Sequence, residues 1–225
     1  MRIENILFDM DGTLTDPKEG ITRSIKYALD KLGKPVPSTE ELLWCIGPPL
    51  KESFKKILES DDDTAETALY FYREYFRERG IFENEVYSSI PKVLEKLKKK
   101  GLKLLVVTSK PYVYAKEILT HFNLLSFFKE VYGSFLSGKL TDKGELIAYT
   151  LKNEKITAKK VLMIGDREHD IIGAKENGIR SIGVTYGYGT EKELINSEAD
   201  FIVDAPEEII EIVMKQNERK YIAHN

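Results

Sequence analysis

Short apolar runs that break off abruptly into polar, reactive residues restrict the folds open to this chain more than any other feature. The first, Ile3 to Leu7, gives way to Phe8-Asp9-Met10-Asp11-Gly12-Thr13-Leu14-Thr15-Asp16. A second, Leu102 to Val107, ends in Thr108-Ser109-Lys110. A third, Lys160 to Ile164, ends in Gly165-Asp166-Arg167-Glu168-His169-Asp170. In an open parallel sheet, ligands bind along the carboxyl edge where the strand order reverses. Three strands that each end in such residues predict a site there.

The rhythm of the chain supports this reading. From Pro91 onward, helices are expected near Pro91–Lys100, Tyr112–Phe122, Lys143–Lys152, Arg167–Asn177 and Pro206–Lys215. Strands are expected near 103–107, 129–133, 160–164, 180–184 and 200–203. That alternation predicts βαβ units and a parallel sheet, which strand 3–8 must join because it is too short and apolar to stand alone.

The stretch from Lys18 to Phe82 has helical spacing instead, with stripes at Ile21, Ile25, Ala28, Leu29 and Leu32, at Phe54, Ile57 and Leu58, and at Ala68, Leu69, Tyr72, Tyr75 and Phe76. Gly33 with Pro35 and Pro37, then Gly47-Pro48-Pro49, then Asp61-Asp62-Asp63 separate the stripes, the last as a cap for the helix that follows. The expected fold is α/β: a Rossmann-like parallel sheet core over residues 1–16 and 83–225, with a helical bundle over 17–82 inserted after the first strand. There is no internal repeat, and the polar Asn217–Asn225 stretch is expected to be loosely held.

With 225 residues, 42% of them hydrophobic, the chain can bury a substantial core. A net charge of -3 gives no support to a nucleic-acid polymer or an anionic membrane as partner. The basic run Lys96, Lys98, Lys99 and Lys100 suits the carboxyl end of a helix. Cys45 is the only cysteine, so an intramolecular disulfide is excluded; between Trp44 and Ile46 it reads as a small buried group. No segment is long enough to span a bilayer and the first strand has no leader before it, so a cytoplasmic setting is expected.

Asp9 and Asp11 place two carboxylates at the edge of the core, two residues apart. Their repulsion must raise a pKa or be offset by a cation, so the pair predicts a metal, a shared proton, or both. The order Asp9-Met10-Asp11-Gly12-Thr13, then Thr108, then Lys143, then Gly165-Asp166 with Asp170 resembles the haloacid dehalogenase superfamily of phosphohydrolases, in the branch with a helical cap after the first strand. Thr15-Asp16-Pro17, Ile46-Gly47-Pro48-Pro49-Leu50 and the Gly165–Ala174 segment are similar to phosphoglycolate phosphatases and the bacterial 5'-nucleotidase-like group.

The resemblance implies a Mg²⁺-dependent phosphatase acting on a small phosphorylated metabolite, as a monomer or homodimer. Asp9 would be the nucleophile, forming an aspartyl phosphate. Asp11 would protonate the departing alcohol and later deprotonate water. Mg²⁺ would be held by Asp9, the backbone carbonyl of Asp11, Asp166 and Asp170. Asp166 and Asp170, four apart, would face one way if a helix begins near Asp166; taken alone they would merely complement a helix N-terminus.

Thr108, with the backbone N–H groups of Ser109, Met10 and Asp11, would hold the phosphoryl oxygens. Lys143 would pair with Asp9 and the phosphate, with Lys139 as its competitor; Gly144 stands where many relatives carry proline, and Ser88-Ser89 replaces another common Pro-Gly pair. Arg23, Lys51, Arg73 and Tyr75 are the cap candidates for contact with the substrate's non-reacting part. His169 does not suit a set of oxygen ligands, and Gly187-Tyr188-Gly189 reads as a turn. A phosphotransferase or sugar-phosphate mutase, a pyrophosphatase and a non-catalytic regulatory module are the alternatives; dehalogenation is disfavoured, since halide displacement needs no acid at Asp11.

Overall fold

The structure, a computed structural model, describes residues 2–218. Along the chain run β1 (Asn5–Phe8), β2 (Thr15–Asp16), α1 (Lys18–Lys31), α2 (Leu50–Leu58), α3 (Asp62–Tyr75), β3 (Glu85–Val86), α4 (Ile90–Lys99), β4 (Lys103–Pro111), α5 (Tyr112–His121), β5 (Glu130–Ser134), α6 (Lys143–Glu154), β6 (Val161–Gly165), α7 (Glu168–Glu176), β7 (Arg180–Val184), α8 (Glu191–Asn196), β8 (Phe201–Val203) and α9 (Glu208–Glu218). The main sheet has the order β5-β4-β1-β6-β7-β8, and every neighbouring pair in it is parallel. β1 therefore lies where the order reverses, flanked by the two other strands whose carboxyl ends carry polar residues.

Side chains alternate across the sheet with the period of two that a strand imposes. Ile6 and Phe8, Leu104 and Val106, and Leu162 and Ile164 enter one apolar cluster, while Leu7, Leu105, Val107, Val161 and Met163 enter the other. The register puts Ile6 level with Leu104 and Leu162, so each cluster is continuous across three strands. Val93, Leu94 and Leu97 of α4, Ala115, Ile118 and Leu119 of α5, and Ile209 and Val213 of α9 join the first cluster. Leu146 and Ile147 of α6 and Ala174 of α7 join the second. Helices on both faces shield the sheet from water, as a parallel sheet requires.

Between β2 and β3 lies the helical cap. Ile21, Ile25, Ala28 and Leu29 of α1, Phe54 of α2, and Ala65, Ala68, Leu69 and Tyr72 of α3 are buried together, in the same apolar cluster as one face of the sheet. Asp61 caps α3, its side chain accepting from Thr64 N–H at 3.0 Å. A wider π-type turn, Phe76–Gly80, continues α3.

Four features depart from the sequence expectation. The antiparallel pair β2–β3 forms where the chain leaves the core and returns to it, Thr15 opposite Val86 and Asp16 opposite Glu85; strands of two residues carry no readable alternation. α8 is an unanticipated short helix, capped by Thr190. β4 runs on to Pro111 through a register shift after Thr108. Asn217 is not loose: its side chain accepts from Ile3 N–H at 2.7 Å and donates to Ile3 C=O at 3.2 Å, tying α9 to the entry of the sheet. Residues 219–225 of the expected loose stretch lie outside the described residues.

Candidate active site

Two strand ends and one helix start bring three carboxylates together. Asp9 follows β1, Asp166 follows β6, and Asp170 lies in the first turn of α7. Each offers an oxygen within 4.8 Å of the other two, and all three are buried. The reason differs from the one expected of a helical face: α7 begins only at Glu168, so Asp166 is in the strand-to-helix turn rather than one turn below Asp170. The Asp170 carboxylate reaches back to Arg167 N–H at 3.2 Å, which aims it into the turn. Asp166 is fixed by Tyr188 N–H at 2.8 Å and by the Thr13 hydroxyl at 3.4 Å. Gly12 closes over it with φ +86°, and a Cβ there would lie 2.2 Å from Asp166 Oδ2, so the turn has room only for glycine.

The Lys143 ammonium lies among these carboxylates, 2.7 Å from Asp9 Oδ1 and 2.7 Å from Asp170 Oδ1, and it donates to Val107 C=O at 3.0 Å. Burial alone would push Lys143 down, but Asp170 and Asp9 outweigh it and hold the group above the ordinary lysine range. Lys139, its competitor in the sequence, is exposed. A Cβ on Gly144 would meet the Glu176 carboxylate at 2.3 Å where α6 passes α7, a flexible group that can move aside.

One lysine does not neutralise three buried carboxylates. Burial, then Asp9 and Asp170, push Asp166 well above the carboxylate range; burial raises Asp170 to about 6 despite Lys143. Such a cluster, made of oxygen donors with unbalanced negative charge, fits a hard divalent cation such as Mg²⁺. His169 is not part of it.

Asp11 turns away from this cluster. Its Oδ2 is 2.9 Å from Lys110 Nζ, and its Oδ1 is buried without a hydrogen-bond partner among the described residues. The backbone bonds of the turn use Gly12, Thr13, Leu14 and Thr15 as donors and leave out the N–H groups of Met10 and Asp11. Thr108 is buried, its hydroxyl accepting from Lys110 N–H at 3.3 Å; the Ser109 hydroxyl donates to Thr141 C=O at 3.1 Å.

Asp11 and Lys110 open onto a cavity of about 420 Å³ between core and cap, shared with Ser109, Tyr72, Phe76 and Tyr114. Of the four cap candidates, Lys51 and Arg73 line it. Arg23 and Tyr75 do not: both are hydrogen-bonded to Glu83, at 2.8 and 3.3 Å. Cys45 also lines the cavity, with burial pushing its thiol up to about 12, which leaves it inert as a nucleophile.

Sequence reasoning missed Lys110, Tyr188 and Arg167. Lys110 lies beyond the register shift that follows Thr108 in β4, so the simple alternation of a strand did not mark it. Tyr188 acts through its backbone, helped by Gly187, where a Cβ would lie 2.4 Å from that of Asp166; nothing local in the sequence links that loop to Asp166.

Comparison with known proteins agrees with this geometry. The haloacid dehalogenase-like hydrolase family matches residues 6–184. A 5'-nucleotidase of Pseudomonas aeruginosa is 50% identical over 194 residues, 86% of this chain and 88% of that protein. A phosphoglycolate phosphatase of Vibrio parahaemolyticus is 27% identical, with 94% of this chain and 96% of that one covered. The crystal structure of a predicted phosphatase from Clostridium acetobutylicum superimposes with a TM-score of 0.93 at 45% identity, covering 96% of this chain and all of that one (100%). A parallel sheet with a helical cap, a buried aspartate cluster and these likenesses lead to one conclusion: the chain belongs to the haloacid dehalogenase-like hydrolases, as a phosphatase of the branch that includes phosphoglycolate phosphatases and 5'-nucleotidases.

Proposed function

We propose that this phosphatase hydrolyses a small phosphomonoester, a nucleoside 5'-monophosphate or a close analogue such as phosphoglycolate, through an aspartyl phosphate, with residues 17–82 as the cap that closes on the substrate. The observation that carries the reading is the convergence of Asp9, Asp166 and Asp170 on one point, with Lys143 between Asp9 and Asp170 and the Asp11–Lys110 pair at the base of the cap-covered cavity. The nucleotide preference is supported by the likeness to the Pseudomonas 5'-nucleotidase.

In this mechanism the Asp9 carboxylate attacks phosphorus in line with the departing oxygen. Lys143 holds that carboxylate and offsets the charge of the incoming phosphate, while the N–H groups of Met10 and Asp11 and the Thr108 hydroxyl take up charge on the equatorial oxygens. Asp11 protonates the leaving oxygen, and after the alcohol departs it removes a proton from the water that splits the aspartyl phosphate. Asp9, Asp166, Asp170 and the carbonyl of Asp11 would hold Mg²⁺, which would supply the positive charge that lets an anionic nucleophile meet an anionic phosphate. The cap excludes water from the first step.

Release of inorganic phosphate from nucleoside 5'-monophosphates, phosphoglycolate, sugar phosphates and pyrophosphate, with Mg²⁺ and with chelator, tests this directly. Activity is expected only with Mg²⁺, highest on nucleoside monophosphates. Asp9→Asn is expected to lose at least roughly 10³-fold in kcat with unchanged circular dichroism. Retained turnover in that variant would remove Asp9 as the nucleophile.

A further inference from the structure

Lys110 is a buried ammonium at the junction of core and cap, and the mechanism above gives it no task. It is 9% exposed. Its Nζ is 2.9 Å from Asp11 Oδ2 and 4.7 Å from the centre of the Phe76 ring, which the cap lays over it. Phe76 is in turn stacked on Tyr72 and met edge-on by Tyr114, each at 5.4 Å between ring centres. A lysine carries three N–H donors, and among the described residues Asp11 is the one acceptor paired with this one. Burying an ammonium with so few partners is costly. Lys110 nevertheless lines the cavity, where a ligand can take the unused donors.

The other cavity cations are already engaged. Lys51 is paired with Asp62 at 3.2 Å and Glu66 at 3.5 Å, and Arg73 donates to Leu136 C=O at 3.0 Å. Both are also less buried than Lys110, and a hydrogen bond is worth most where water is excluded.

From this geometry we infer that Lys110 is a specificity-determining residue. It donates to an acceptor oxygen in the leaving alcohol, three bonds beyond the scissile ester oxygen, and so selects phosphomonoesters of oxygen-rich alcohols over those of plain alkyl groups. The position follows from Asp11. If that carboxylate serves the leaving oxygen, the ammonium beside it meets the next polar atom toward the cap, such as the ring oxygen of a ribose or the carboxylate of a glycolate. The inference rests on the phosphatase reading of this cavity and goes further by naming what the cavity reads.

The test uses two substrate pairs that differ at that acceptor: adenosine 5'-monophosphate against its carbocyclic analogue, which lacks the one ring oxygen, and phosphoglycolate against ethyl phosphate, which lacks the whole carboxylate. The quantity read is the ratio of kcat/KM within each pair, in which any general damage to Asp11 cancels. The wild type is expected to favour the acceptor-bearing member by roughly 10- to 100-fold, the worth of a hydrogen bond to a charged group. In Lys110→Met both ratios should fall toward one, and in Lys110→Arg most of the preference should return. Wild-type ratios near one in both pairs would overturn the inference without any variant. So would ratios in Lys110→Met that stay at the wild-type value while all rates fall together, the mark of a purely structural lysine. A wild type that releases no phosphate from any of the four compounds would instead sink the phosphatase reading itself.

Discussion

Asp11 must carry a proton to serve as an acid, and its surroundings act in opposite directions. Burial pushes its carboxyl up, Lys110 pulls it down, and burial prevails, so the group stays above the ordinary carboxylate range. Asp11→Asn removes the transferable proton while keeping the shape of the side chain. The expected loss in kcat is roughly 10²- to 10⁴-fold for alkyl phosphates and much smaller for p-nitrophenyl phosphate, whose leaving group departs without help. Equal losses on both would remove Asp11 from the acid role. Asp9 and Asp166 were legible in the sequence because carboxylates directly after apolar strands are costly, and a costly placement carries information; Asp11 was legible through its closeness to Asp9, and Asp170 only through the family resemblance. Lys110 was not legible, because a lysine near a strand end is ordinarily a solvated group; only the cap closing over it makes it unusual. The cap charges show the same limit from the other side. Helical spacing identifies the buried stripe of α1 and α3, but it cannot say which polar flank faces the cavity, and Arg23 and Tyr75 turn to Glu83 instead.

At the level of elements, the carboxyl ends of the strands and the alternation of βα units could be read from apolar runs, because their burial leaves a pattern in the residues themselves. The joints between cap and core could not, since they depend on contacts between distant segments. Arg167 is such a joint. Its backbone N–H holds Asp170 at 3.2 Å, while its side chain crosses to the cap, donating to Ile46 C=O, and pairs with Glu193 of α8 at 2.9 Å. A Cβ on Gly47 would lie 2.7 Å from Arg167 Cγ, so that glycine lets the cap loop sit on the arginine. Arg167→Met keeps the backbone contact to Asp170 and removes the cross-link, a charged hydrogen bond worth about 1.5–3 kcal/mol. The cap should then open more readily: KM is expected to rise several-fold or more, with faster hydrogen exchange in the cap segment 40–58. Unchanged KM and exchange would show that the apolar contacts alone hold the cap in place.

For the whole molecule, the proposed metal site makes stability depend on pH and on the cation together. Without a divalent ion the folded chain keeps protons on its carboxylate cluster that the unfolded chain releases; Asp170 alone moves from 3.8 to about 6, and burial raises Asp166 in the same direction. The folded state binds more protons, so stability falls as pH rises. The contribution of Asp170 is fully present below about pH 4 and is lost as pH passes through about 6. A shift of that size corresponds to roughly 3 kcal/mol at most, which for a chain of this length is roughly 6–12 °C in Tm. A divalent cation held there would replace those protons, because the carboxylates that would hold it must be ionised. The Tm gain from saturating Mg²⁺ is therefore expected to be several degrees larger at pH 8 than at pH 5.5, as measured by differential scanning fluorimetry with and without chelator. In Asp170→Asn, the pH dependence of the metal-free Tm between 4 and 6 should shrink. A Mg²⁺ gain that is equal at the two pH values would mean that protons and cation do not compete for one place, and the three carboxylates would then need another explanation for their burial.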